Sequence, residues 1–350
     1  TNKLRTYGTL EAYKILQSSK DSNLPIDLGL GIGGDLEANN LEIQRALEIL
    51  KEYPNRIQSV IVGNEVLLRK ELEPLELYAY IDFMKSHTKK PVTTAETWDI
   101  WEKNPQLASH VDFLTIHILP YWEKVPIERY NEFIIEKYSV VEELFPNRKI
   151  VIGETGWPSH GYNNNKAVPS IKNQAQAIRG FVNLAHEKGW HYNIIEALDQ
   201  PWKGYDEGNV GQYWGIFTTD RALKFQLAGE VELNKYWLYQ MIAAIIIGAL
   251  LTLFGLKNQR VNISHAFAYA IAAQGKAFGI GMAAIYPFVN YMNFGMWIMW
   301  GMGSFLMIPL VIITLAKANE LFRSSIGVQP SRLVPLDLKS KNAPLVSIHV

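Results

Sequence analysis

The chain has 350 residues, enough for one large α/β domain and a smaller second unit. Its 34 lysines and arginines balance 34 aspartates and glutamates, so charge gives no case for a nucleic-acid partner. It has no cysteine, which excludes disulfides, thiolate catalysis and cysteine-ligated metals.

From the N-terminus, seven short β-rich runs alternate with segments of helical period. The runs are residues 3–7, 27–32, 59–63, 92–95, 113–118, 150–154 and 192–197. Between them Ile43, Ala46, Leu47 and Leu50 share one helix face. Leu77, Tyr80, Ile81 and Met84 do the same, as do Ile178, Phe181, Val182 and Ala185. Such alternation predicts a parallel sheet with helices outside it. Polar and aromatic residues gather just after the strands, the habit of a (β/α)8 TIM barrel. Only seven strands are legible and the first starts at the third residue, so the barrel is expected to lack its first strand–helix unit in this chain. A doubly wound open sheet is the competing α/β fold, with its site at one switch point.

Composition changes near residue 230. From Trp237 to Leu315 the charged side chains are Lys257, Arg260 and Lys276. The expected division is 1–228 for the barrel, 229–315 for transmembrane helices (about 237–256, 266–288 and 292–315) and 316–350 for a mostly irregular tail. Gly275, Gly279, Gly281 and Ala283 predict close helix contacts in the second span. Lys257 and Arg260 in the first connection and the basic tail should stay cytoplasmic. Three spans then place residues before Trp237 outside the cytoplasm, as a multi-pass membrane protein in contact with the lipid bilayer. An outside domain needs an export signal, expected upstream of this segment.

Two glutamates carry the chemistry. Val62-Gly63-Asn64-Glu65-Val66 sets an acid at one strand end, and Gly153-Glu154-Thr155-Gly156-Trp157-Pro158-Ser159 sets another three strands later. On a closed barrel both point into one axial cleft. Glycoside cleavage needs two convergent carboxyl groups, roughly 5 Å apart if configuration is retained. Trp98, Trp101, Trp122, Trp157, Trp202 and Trp214 follow or lie near strand ends, and flat rings suit the apolar face of a pyranose. The run Gly29-Leu30-Gly31-Ile32-Gly33-Gly34 matches a dinucleotide fingerprint by letters, but its glycines sit within the strand, where close packing explains them better. No cofactor and no metal is expected.

On these motifs the chain resembles family 17 glycoside hydrolases, the β-1,3-glucanase and glucanosyltransferase family, and looks most like bacterial membrane-associated members. The matching pieces are Leu4-Arg5-Thr6-Tyr7, Val62-Gly63-Asn64-Glu65, Leu119-Pro120-Tyr121, the Glu154 motif and Asp199-Gln200-Pro201-Trp202-Lys203. The resemblance covers about residues 1–228. It implies Glu65 as acid/base, Glu154 as nucleophile, and Asn64, Tyr7, Tyr121 and Trp157 around the bound sugar. Glu96, Trp122, Gln200, Trp202 and Lys203 are further expected substrate contacts. Gln200 and Leu119 stand where plant members carry glutamate and tyrosine, so the resemblance does not imply the plant endo-cleavage pattern. The implied substrate is a β-glucan or oligosaccharide, hydrolysed or transferred, and a membrane anchor suits remodelling during export. Two other classes stay open: an inactive glucan-binding module, and a scaffold working with polysaccharide synthesis or export partners.

Overall fold

The computed structural model describes residues 3–231, 236–257, 259 and 261–325. The chain forms two compact units, Thr1–Leu233 and Asn234–Val350.

The first unit alternates β1 (Leu4–Arg5), α1 (Thr9–Ser18), β2 (Ile26–Leu30), α2 (Leu36–Glu52), β3 (Ile57–Asn64), α3 (Pro74–His87), β4 (Val92–Thr97), α4 (Trp98–Lys103), β5 (Leu114–His117), α5 (Tyr130–Leu144), β6 (Ile150–Thr155), α6 (Ile171–Lys188) and β7 (His191–Ile194). Local chemistry marks the helix ends. Asp35 caps α2 by accepting from the Glu37 and Ala38 amides. Glu73 and Glu76 form a capping box around Pro74 in α3. Gly189, left-handed at φ 67°, ends α6.

All neighbouring strands pair in parallel, in the order β1 to β7. In a flat sheet β1 and β6 would stand roughly 24 Å apart, five strand spacings. Instead Arg5 of β1 donates from Nη1 to the Gly153 carbonyl of β6 at 2.8 Å. The sheet therefore curls into a nearly closed barrel, and the open-sheet alternative is set aside. Leu16, Ile43, Ile49, Leu77, Ile81, Ile134 and Phe181 bury the helices against it. The glycine run packs strands: a Cβ on Gly29 would lie 2.0 Å from the Thr6 carbonyl oxygen.

The second unit holds α7 (Trp237–Leu256), α8 (Ile263–Val289) and α9 (Phe294–Ser325). Of these, α7 and α9 are long and apolar enough to cross a membrane. The second expected span is a helix, but His265, Gln274 and Lys276 lower its hydropathy and it does not reach that standard. The third helix continues to Ser325, past the expected end at residue 315. Lys317 pairs with Glu320 within this extension at 2.8 Å, so residues 316–325 are helical rather than irregular. Residues 326–350, the rest of the expected tail, lie outside the described residues, as does Arg260.

The small residues that bring helices together are also different from those expected. Gly275, Gly279 and Gly281 have open space where a Cβ would stand. The close approach is made by α7, where a Cβ on Gly248 would lie 2.1 Å from Gln274 Oε1 and one on Gly255 2.0 Å from the Tyr269 hydroxyl. Ala283 does meet a neighbour, its carbonyl accepting from Trp300 Nε1 at 2.7 Å.

Candidate active site

Glu65 stands one residue beyond β3 in a tight turn. Gly63 (φ 79°) and Glu65 itself (φ 54°) are both left-handed. A Cβ at position 63 would also lie 2.5 Å from Val66 Cγ2, so the turn requires glycine there. The Glu65 amide donates to the Ala95 carbonyl of β4 at 2.8 Å, which fixes the turn to the barrel.

Glu154 lies near the end of β6 and is 4% exposed. Gly153 beside it makes room for Arg5, whose Nη1 would lie 3.0 Å from a Cβ there. Arg5 Nη1 approaches Glu154 Oε1 at 3.4 Å, and Nη2 donates to Asn64 Oδ1. Its guanidinium lies 4.7 Å from the Tyr7 ring centroid. Burial, and then the nearby Glu154 charge and a hydrogen bond to it, push the Tyr7 hydroxyl pKa well above its usual value. Tyr7 therefore stays a donor to the carboxylate.

His117, the last residue of β5, joins the two acids. Its Nδ1 is 2.7 Å from Glu65 Oε1, and its Nε2 is 3.5 Å from Glu154 Oε1 and 3.0 Å from Arg5 Nη1. Arginine can only donate, so Nε2 accepts and the ring proton sits on Nδ1, donating to Glu65. Burial favours the neutral form of Glu65. The His117 hydrogen bond, with the positive field of Arg69 and Arg5, outweighs it and holds the carboxyl below its ordinary range.

One oxygen from each glutamate and one His117 nitrogen lie within 4.8 Å of one another. Such a donor set also suits a metal ion. Here Arg5 already provides positive charge against both Glu154 and His117, so a cation at that point would meet a second one. Glu154 Oε1 is buried with no hydrogen bond among the described residues. A carboxylate oxygen left that way keeps its lone pairs free for a further partner.

The cleft above these groups is about 620 Å³. Of the expected site residues, Glu65, Glu154 and Trp122 line it. Trp122 stacks on Trp214, with ring centroids 5.9 Å apart, and Trp98 also lines the cleft. Asn64 and Tyr7 stand behind the carboxylates as partners of Arg5 and Glu154.

The remaining expected residues stand outside the cleft lining. Glu96 is fully buried and accepts from the Leu67 and Leu68 amides at 2.8 and 3.3 Å. It holds the segment after Glu65 rather than a sugar, and burial pushes its pKa up to about 7. Tyr121 and Trp157 are both fully buried and pack edge to face, so they support the cleft from beneath. Their polar ends are taken by the Tyr162 and Val168 carbonyls. Gln200 and Lys203 both donate to Glu196 Oε2, and Trp202 is exposed away from the cleft lining. His117, Asp206 and Glu207 also line the cleft and Arg5 meets Glu154, although no sequence motif assigns them a site role. The one available signal was a histidine interrupting an apolar strand at 113–118.

Comparison with known proteins points the same way as this geometry. Residues 1–215 match the model for the BtgE/BtgC glycoside hydrolase domain. The chain is 26% identical over 246 residues to a glucan 1,3-beta-glucosidase of Schizosaccharomyces pombe, covering 65% of this chain and 76% of the relative. It is 27% identical over 214 residues to a glucan 1,3-beta-glucosidase of Saccharomyces cerevisiae, covering 54% and 67%. Among solved structures it is similar to a glycoside hydrolase family 17 β-1,3-glucanosyltransferase from Rhizomucor miehei. The identity there is 27% and the TM-score 0.59, over 64% of this chain and 84% of that one.

Proposed function

This chain belongs to the BtgE/BtgC glycoside hydrolase domain family, and we propose that it cleaves or rebuilds β-1,3-linked glucan with retention of configuration. Glu65 is the acid/base and Glu154 the nucleophile. The observation that carries this is the approach of the two carboxylates to within 4.8 Å. That is near the spacing of retaining enzymes and leaves no room for a water between nucleophile and sugar.

In the first step a Glu154 oxygen bonds to the anomeric carbon as the glycosidic C–O bond breaks. The Glu65 proton goes to the departing oxygen. In the second, Glu65 takes a proton from the acceptor, whose oxygen displaces Glu154. A water acceptor gives hydrolysis, and a sugar hydroxyl gives transfer. His117 keeps free Glu65 ionised, so the acid form must gain on substrate binding. A sugar filling the cleft removes water from Glu65, and desolvation raises a carboxyl's proton affinity. Tyr7 and Arg5 orient Glu154, and stacked Trp122 and Trp214 offer a flat apolar wall to a pyranose.

The helical unit is proposed as a membrane anchor. Ile242, Ile245, Ile246, Leu250 and Phe254 of α7 are exposed, as lipid-facing residues would be. In α8, Gln274 donates to the Ala244 carbonyl and His265 meets Asn319, so these polar groups are satisfied inside the unit. That supports a third crossing by α8, with the barrel outside the cytoplasm.

Incubation of the full chain with laminari-oligosaccharides, followed by sizing of the products, tests the activity. Shorter products alone mean hydrolysis, and longer ones as well mean transfer. Unchanged oligosaccharide rejects the proposal and favours a glucan-binding module.

A further inference from the structure

The cleft is lined by Glu65, Glu123, Glu154, Asp206 and Glu207, with His117 as the basic group and no lysine or arginine in the lining. Three of these acids are committed. Glu65 accepts from His117, Glu154 faces Arg5, and Glu123 accepts from Trp98 Nε1 at 3.2 Å. Asp206 and Glu207 differ. They stand on the segment between two short 3-10 helices, Pro201–Tyr205 and Gly211–Tyr213, that follow β7. Among the described residues neither side chain has an ion pair. The nearest cation to Glu207, Lys203, is held by Glu196 at 2.8 Å.

We infer that Asp206 and Glu207 make the cleft selective against glycans that carry negative groups, so that it accepts neutral glucan and excludes stretches bearing carboxyl, phosphate or sulfate. This deepens the glucan proposal and rests on it. A space of 620 Å³ has an equivalent radius of roughly 5 Å, inside the Debye length of about 8 Å at physiological salt. Any anionic substituent on a bound sugar therefore feels both uncommitted carboxylates with little screening. A neutral sugar feels no net force and can donate its hydroxyls to them. Burial, together with Glu154, Glu65 and Asp206, pushes the Glu207 pKa up, so exclusion should strengthen as pH rises through the carboxylate range.

The test compares neutral laminaripentaose with the same oligosaccharide partly oxidised to carboxylate at C6. kcat/KM is read for turnover and Kd by calorimetry for binding, using the full chain and the Asp206→Asn, Glu207→Gln double variant. The neutral-to-oxidised ratio is the readout, because it cancels any loss of active fraction. The parent is expected to favour the neutral ligand by about tenfold or more at low salt. The double variant should cut that preference about three- to tenfold, and 0.5 M salt should do the same to the parent. A preference that neither the variant nor salt moves is steric and overturns the inference, as does no preference at all. A parent that favours neutral ligand in Kd while turning over neither ligand sinks the glycosidase proposal and leaves the charge filter standing. A parent that binds neither ligand sinks both.

Discussion

The His117 imidazole sits between the two acids, with Nδ1 2.7 Å from Glu65 Oε1 and Nε2 3.5 Å from Glu154 Oε1. It holds Glu65 below the ordinary carboxyl range against the push of burial. Removing it leaves burial unopposed at that contact. In His117→Ala the basic limb of the kcat/KM profile, which follows loss of the Glu65 proton, should move to higher pH. A limb that stays in place or moves down means another group sets Glu65.

Glu154→Gln keeps nearly the same shape and removes the attacking charge. Turnover of laminari-oligosaccharides should fall by about 10³-fold or more, a barrier increase of roughly 4 kcal/mol. The fold should survive, because Arg5 also bonds the Gly153 carbonyl and Asn64. Activity within about tenfold of the parent, at unchanged far-UV circular dichroism, would remove the nucleophile assignment.

Glu96 links pH to stability. Its folded pKa is about 7 against an ordinary 4.5, so the folded state binds its proton more tightly. Its contribution is fully present below about 4.5 and is lost as pH rises through about 7. The cost at pH 8 is roughly 3 kcal/mol, since each unit is worth about 1.36 kcal/mol. Glu96→Gln stays neutral and keeps an acceptor for the Leu67 amide. The drop in thermal midpoint of the barrel between pH 5 and pH 8 should therefore shrink in this variant. An equal drop in both proteins shows that Glu96 does not control it.

Glycines of the helical unit separate by what faces them. Gly255→Leu must displace the Tyr269 ring, whose hydroxyl would lie 2.0 Å from the new Cβ, whereas Gly279→Leu enters open space. The first should lower stability in detergent by about 1–3 kcal/mol and the second far less. Equal midpoints for the two variants would contradict the α7–α8 contact.

Strand positions were legible because the barrel interior demands apolar, β-rich runs. Glu65 and Glu154 stood out because each follows a glycine closely at a strand end. Arg5 and His117 were not legible, because their hydrogen-bond partners are 52 to 148 residues away in the chain. Only closure of the barrel brings them together. Glu96 looked like Glu65, an acid at a strand end, but two backbone amides from the turn after Glu65 claim it. Trp157 follows Glu154 closely in sequence, yet its ring is fully buried between Tyr121 and Tyr130. Whether an aromatic near a strand end faces a ligand or the core depends on strand geometry that its letter does not carry. The same holds for α8, whose glycines face away from the helix that approaches it.

In the proposed membrane arrangement sidedness turns on α8. Its 27 residues would extend about 40 Å as a helix, long enough to cross a hydrocarbon core of about 30 Å. Its polar groups are partly satisfied inside the unit, and Lys276 is half-buried rather than fully exposed. Lys257, at the end of α7, resists translocation and should stay cytoplasmic, as should Lys317 and Arg323 near the end of α9. With α8 crossing, Lys166 in the barrel lies outside while Lys257 and Ser325 lie inside. Without it, α9 would return the chain and Ser325 would emerge on the side of Lys166. The chain has no native cysteine, so single substitutions report cleanly. In intact cells an impermeant maleimide should label Lys166→Cys and leave Lys257→Cys and Ser325→Cys unlabelled until the cells are opened. Labelling of Ser325→Cys in intact cells, with Lys257→Cys still protected, would replace the three-span arrangement by a two-span one.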